Sequence, residues 1–153
     1  MTFWRPRRMS VQSILLPLFV QIALTCFLSI WSAWERTAVL KSREVKWQDI
    51  ALRQTPWPDR VQQIGNCFQN QFEIPILFYV LAVLAITTKQ AGLLFVGMEW
   101  LFVATRVAHA YVLTTSNYVP LRGKVFIVGT TLLFLMWVIF AVQIFAGRSM
   151  GSL

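Results

Sequence analysis

The chain has 153 residues, 14 Lys and Arg against 6 Asp and Glu, and a formal net charge of +8; hydrophobic residues make up 57% of it and charged residues 13%. A soluble domain carries about 45–50% apolar and about 25% charged residues, so the composition excludes an ordinary water-soluble fold and makes lipid the solvent for most of the surface. The positive balance does not point to nucleic acid, because the cations gather at segment ends and in one loop, where they meet anionic headgroups.

The predicted elements belong to one domain covering residues 1–153. Arg5-Pro6-Arg7-Arg8 precedes an apolar run as in a secretory signal, but the run is too long for that and no small-x-small site follows it, so it reads as a first membrane span. Span one covers about residues 11–34 without a charge, contains Pro17, and ends on the interfacial Trp31 and Trp34. Residues 35–60 form the long loop, carrying Arg36, Lys41, Arg43, Lys46, Arg53 and Arg60, with Pro56-Trp57-Pro58 blocking any helix through it. Span two, about 61–88, and span three, about 91–114, are joined by a turn short enough to force a helical hairpin. Span four covers about 124–146, after a connection containing Asn117, Pro120, Arg122 and Gly123. Each run suits a hydrocarbon core that needs about 20 apolar residues per helix. The fold class is therefore all-α, an integral, multi-pass four-helix bundle in contact with the lipid bilayer.

Cys26 and Cys67 lack a C-x-x-C spacing and read as free thiols. With one His in the chain, no metal site is expected. Four spans place both termini on one side, with Arg5, Arg7, Arg8, Lys89 and Arg148; the other side has the six loop cations together with Arg122 and Lys124. The positive-inside rule then puts the 35–60 loop in the cytoplasm.

Span two carries the chemistry. At 100° per residue, Gln62, Gln63, Asn66, Gln69, Asn70 and Glu73 fall on one arc, with Ile64, Phe68 and Phe72 opposite. Such a stripe cannot face lipid, and one chain offers it few partners, so spans two are expected at the centre of an assembly. The hairpin supplies some partners by counting: Glu73 lies sixteen residues before Lys89 and Arg106 sixteen after Gln90, while Asn70 and His109 are each nineteen from the same turn. Glu73 and Arg106 are expected to form an ion pair. Pro75 is expected to kink span two just beyond Glu73, and Glu99 has no partner that the counting identifies.

Asn70-Gln71-Phe72-Glu73-Ile74-Pro75 resembles the N-x-x-E motif with a following proline in the MAPEG family, the membrane-associated proteins of eicosanoid and glutathione metabolism. Arg106-Val107-Ala108-His109 and Pro120-Leu121-Arg122 resemble the R-x-x-H and P-x-R signatures of its prostaglandin E synthase branch. The resemblance implies a homotrimer with glutathione bound between subunits near the cytoplasmic face. Asn70, Glu73, Arg106, His109 and Arg122 would contact glutathione, and Arg122 would be the catalytic residue that stabilises its thiolate. It also implies a bacterial-type member in the inner membrane. Three positions depart from the pattern: Asn66 stands where glutathione-using relatives carry an arginine, Leu113 where the prostaglandin branch has a tyrosine, and Gly123 where it has a serine.

Three functions compete at this level. The first is a glutathione-dependent transferase or peroxidase acting on a lipophilic small molecule. The second is a non-catalytic member whose polar stripe fixes helix and trimer packing. The third, a small transporter subunit, is disfavoured because spans one and four carry no charge to line a path.

Overall fold

The Ser13 amide donates to Ser10 Oγ at 3.2 Å and so caps the first helix, α1, Val11–Lys41. The computed structural model describes residues 10–50 and 57–149, and all regular structure in them is helical. Arg5, Arg7, Arg8, Arg53 and Pro56 lie outside the described residues, as does the side chain of Arg148. Four helices are long and apolar enough to cross a membrane, spanning Val11–Lys41, Asp59–Thr87, Leu93–Thr114 and Val119–Ala146.

Four membrane-crossing helices are present where four spans were expected, with three corrections. Helix α1 continues past Trp34 to Lys41, because Glu35, Arg36 and Thr37 are charged or polar without being helix breakers. It stops at Ser42, followed by Arg43 at φ 61. The expected 35–60 loop is correspondingly shorter, and its described residues include a helical turn, α2, Trp47–Ile50. Helix α6 starts at Val119, five residues before the expected boundary. Pro120 does not prevent this, since the first amides of a helix have no intrahelical acceptor. Arg122 consequently sits in the first turn of α6, where its amide donates to the Tyr118 carbonyl at 3.0 Å.

The third correction matters most for the site. Span two is not one kinked helix; it is α3, Asp59–Gln69, then a 3₁₀ turn, Asn70–Phe72, then α4, Ile74–Thr87. Glu73 stands at the break with φ −99 and ψ −101. The cause is Pro75, which has no N–H and whose ring excludes the carbonyl four residues back, at Gln71. The distortion therefore falls on the turn before the proline, the segment that carries the N-x-x-E residues.

Helix α5, Leu93–Thr114, is the central element and packs against α1, α3 and α6. Phe78 and Leu81 of α4, Phe102 of α5, and Leu133 and Met136 of α6 form the main core with Ile14 of α1; Leu28, Cys67, Ala110 and Leu113 form a smaller one. The outer faces of α1 and α6 expose Leu16, Phe19, Ile30, Phe134, Val138 and Phe145, as expected of surfaces solvated by lipid. Helices α5 and α6 approach closely at Gly129, where an added Cβ would lie 2.5 Å from Thr105 Oγ1. Small residues drive such approaches in membranes. Gly129→Leu is therefore expected to part α5 from α6 and to destabilise the protein by about 1–3 kcal/mol, read as a lower thermal midpoint in mild detergent; an unchanged midpoint would show that this contact is not made.

Candidate functional site

In the half of the bundle that contains α3, a groove of about 510 Å³ separates this helix from α6, with α5 behind it. One wall is Asn66, Gln69, Asn70 and Glu73; His109 and Leu113 of α5 lie behind; Arg122, Gly123 and Phe126 of α6 close the other side. The volume is within the usual range for small-molecule sites, about 300–1,000 Å³. Four of the five residues expected at the site line this groove, and the fifth, Arg106, lies beside it on α5.

The polar stripe of span two divides between two tasks. Gln62 Nε2 donates to Asn66 Oδ1 at 2.8 Å, continuing the groove wall upward. Gln63 turns instead to the end of α5, donating to the carbonyls of Leu113 and Thr115. Those carbonyls belong to the last turn of a helix and its cap, which leave acceptors without intrahelical donors. Arg60 serves the same end by donating to the Thr114 carbonyl while its guanidinium stands 5.2 Å from the Trp31 ring. Trp57 likewise lies beneath Arg36, at 5.4 Å. The cation-rich end of the bundle is thus also its tryptophan-rich end, as an interface requires.

Arg106 is 2% exposed. The expected Glu73–Arg106 ion pair is not formed: Arg106 Nη2 donates to the Asn70 carbonyl at 3.1 Å, and Glu73 is exposed on the groove wall. The break explains the exchange of partners. In an unbroken helix the Asn70 carbonyl would accept the Ile74 amide; with the helix interrupted, that acceptor is free, and the guanidinium takes it. The hairpin count measures depth and not direction, and Glu73 stands exposed at the break. Arg106 Nε has no hydrogen-bond partner among the described residues, and the guanidinium carbon stands 5.9 Å from the Phe126 ring.

His109 is also nearly inaccessible, 3% exposed, with its Nδ1 unpaired among the described residues and its ring 5.7 Å from Phe126. Asn70 and His109, matched in depth by the hairpin count, do meet in the same groove. Arg122 Nη1 donates to Asn117 Oδ1 at 2.6 Å. Asn117 occupies the turn between α5 and α6 at φ 48, a left-handed conformation that asparagine tolerates better than most residues. One residue thus makes the turn and fixes the arginine, a role that its place in the connection did not reveal.

Glu99 is 0% exposed, and neither of its carboxyl oxygens has a hydrogen-bond partner among the described residues. It stands on the same helix face as Arg106, two turns away, and does not line the groove. An isolated buried ionisable group destabilises a fold, and replacing buried ionic groups by apolar ones of similar volume is often neutral or stabilising by about 1–4 kcal/mol. Glu99→Met is expected to raise the thermal midpoint; a fall would show that the carboxyl has a partner in the assembled protein.

Four membrane-crossing helices with an arginine and a histidine buried beside a polar groove define a multi-pass membrane protein with a polar groove among its helices. The model of the MAPEG family matches residues 14–142, most of the chain, and the protein belongs to that family. Neither a curated protein nor a solved structure gives a significant match.

Proposed function

We propose that the groove between α3 and α6 binds glutathione and that the protein is a glutathione-dependent transferase or peroxidase acting on a lipophilic electrophile. The observation that carries this reading is convergence: Asn70 and Glu73 from the break, His109 from α5 and Arg122 from α6 line one cavity. These residues belong to three separate family-like motifs. The donor set fits the ligand, because a tripeptide with two carboxylates and an ammonium group needs cationic and amide donors together with an acid. Arg122, Asn66, Gln69 and Asn70 supply the first, and Glu73 the last. The unpaired His109 Nδ1 adds a further polar group at the back of the cavity.

Glutathione, when bound, supplies a thiol as nucleophile. Arg122 would hold that sulfur as its anion, with its guanidinium braced by Asn117. Asn70 keeps its position because its backbone is held by Arg106. Leu113, Gly123 and Phe126 give the groove an apolar portion next to the lipid-facing side of α6, a path by which an apolar substrate enters from the bilayer.

The groove is open in a single chain, with Asn66, Gln69 and Glu73 exposed. Polar side chains of this density do not face lipid tails, which supports a homotrimer in which a neighbouring subunit closes each groove. The cation-rich end, with Arg36, Lys41, Lys46 and Arg60, supports a cytoplasmic location for that end in a bacterial inner membrane. Cross-linking in native membranes tests the assembly: trimeric products are expected, and a strictly monomeric protein in lipid would remove the intersubunit site.

A packing-only role has one specific observation behind it, the neutral Asn66 on the groove wall where glutathione-using relatives carry an arginine. An arginine holds a carboxylate through a charge-assisted fork, and an amide donates a weaker bond. The difference is about 1–2 kcal/mol, or roughly tenfold in affinity. Asn66→Arg is therefore expected to tighten glutathione binding about tenfold while leaving the thiol pKa unchanged, because Arg122 sets the latter. Calorimetric titration measures the affinity, and an Asn66→Arg protein that binds no tighter than wild type would remove Asn66 from the ligand site.

A further inference from the structure

Gln21 is a primary amide in the uncharged, largely apolar membrane-crossing part of α1, 0% exposed. Its Nε2 donates to Gln71 Oε1 at 2.9 Å, and Gln71 Nε2 donates in turn to the Cys67 carbonyl at 3.2 Å. Gln71, itself 1% exposed, is the central residue of the 3₁₀ turn Asn70–Phe72. Arg106 of α5 holds the preceding residue through the Asn70 carbonyl. The break in span two is thus gripped on two sides, by Gln21 through a side chain and by Arg106 through the backbone. What the grip displays is Asn70 and Glu73, on the groove wall. Thr25 completes the arrangement, donating to the Gln21 carbonyl at 3.1 Å and lying 3.4 Å from the Tyr79 hydroxyl of α4, beyond the break.

Gln21 Oε1 has no hydrogen-bond partner among the described residues. An amide bought in for helix adhesion alone would have both its donor and its acceptor engaged, since an unpaired polar atom at this depth costs free energy that leucine would not. Only its donor is used here, and it is used on the one turn of span two that is not α-helical.

We propose that Gln21 is a positioning residue: its amide fixes Gln71, and through it the broken turn that aims Asn70 and Glu73 into the groove. The ligand-binding part of this proposal rests on the glutathione reading above; the geometry of the turn does not.

The test uses the full chain in lipid nanodiscs as wild type, Gln21→Leu and the double variant Gln21→Leu/Gln71→Leu. Removing one partner leaves the Gln71 amide unsatisfied, whereas removing both replaces a polar pair by an apolar one and is nearly neutral for stability. The thermal midpoint is expected to fall in the single variant and to recover in the double. Hydrogen exchange of the amides of residues 70–74 and 76 is expected to rise about tenfold in both variants, with those of residues 93–114 unchanged, and glutathione affinity to fall about tenfold in both. Recovery of wild-type exchange and affinity along with the midpoint in the double variant would overturn the proposal and leave Gln21 as interhelical adhesion. Unchanged exchange in every variant would overturn it as well. If Gln21→Leu does not fold, the double variant alone decides by the same two readouts. If wild type binds no glutathione, the ligand reading falls by itself and exchange at the turn still decides the role of Gln21.

Discussion

Replacing Arg122 by glutamine is expected to leave the fold intact and to lower turnover at neutral pH on the order of 100-fold. A thiol of ordinary pKa, about 8.5, must be brought down about two units to be mostly ionised near neutrality, which needs roughly 2.7 kcal/mol of differential stabilisation. One guanidinium about 4 Å from the sulfur offers on the order of 4 kcal/mol at an effective dielectric of about 20. Arg122 is only half-buried, and screening by water reduces that figure without removing it. Glutamine at this position keeps a donor for Asn117, so the start of α6 persists while the charge is lost. The bound thiol pKa then rises, and the alkaline-going limb of the rate profile moves up by about two units, so that activity recovers at high pH. Thiolate absorbance of the bound ligand against pH reads the shift directly; an unmoved titration would take Arg122 out of the chemistry.

Arg106→Met is expected to separate stability from binding. Had Arg106 been paired with Glu73, removing it would leave a buried carboxylate and cost about 3–5 kcal/mol. Here the guanidinium has a backbone carbonyl and an aromatic face for company, and Glu73 is exposed. Its removal orphans the Asn70 carbonyl, at about 1–3 kcal/mol, and relieves the burial of a charge, which is of comparable size. The thermal midpoint should therefore change little, within about 1 kcal/mol in stability, because the two terms oppose. Glutathione affinity should fall tenfold or more, since the break loses its hold on Asn70 and hydrogen bonds to charged groups are worth about 1.5–3 kcal/mol. A loss of stability of about 3–5 kcal/mol would instead reveal a carboxylate partner supplied in the assembled protein.

Much of this architecture was legible in the sequence because the lipid phase imposes simple rules. The apolar runs placed all four spans, the family-like motifs pointed to MAPEG, and the 100° wheel gathered Asn66, Gln69, Asn70 and Glu73 onto the wall they occupy. The hairpin count brought Asn70 and His109 to one groove because the turn between spans two and three is only a few residues long. The same count failed for Glu73 and Arg106, since it gives depth and not direction, and Pro75 alters direction. The Gln21–Gln71 pair was missed for a related reason: the connection between spans one and two is too long for counting to register their depths. A signal was nevertheless present in Gln21, an amide in the middle of an apolar span, whereas Gln71 gave none, falling on the apolar side of the wheel beside Ile64. The extended ends of α1 and α6 escaped because span boundaries were read from hydropathy, whereas helices continue into the headgroup zone until a cap or a left-handed residue such as Arg43 stops them.

Glutathione binding by the purified protein in lipid is the most direct test of the proposed groove. Thermal unfolding at increasing glutathione concentration should show a saturable rise in the midpoint, since a ligand that binds only the native state stabilises it by mass action. The account predicts that rise for wild type, at lower concentrations for Asn66→Arg, and a weakened response for Arg106→Met. No stabilisation of either wild type or Asn66→Arg at millimolar glutathione would contradict it and leave the polar residues of α3, α5 and α6 as packing contacts alone.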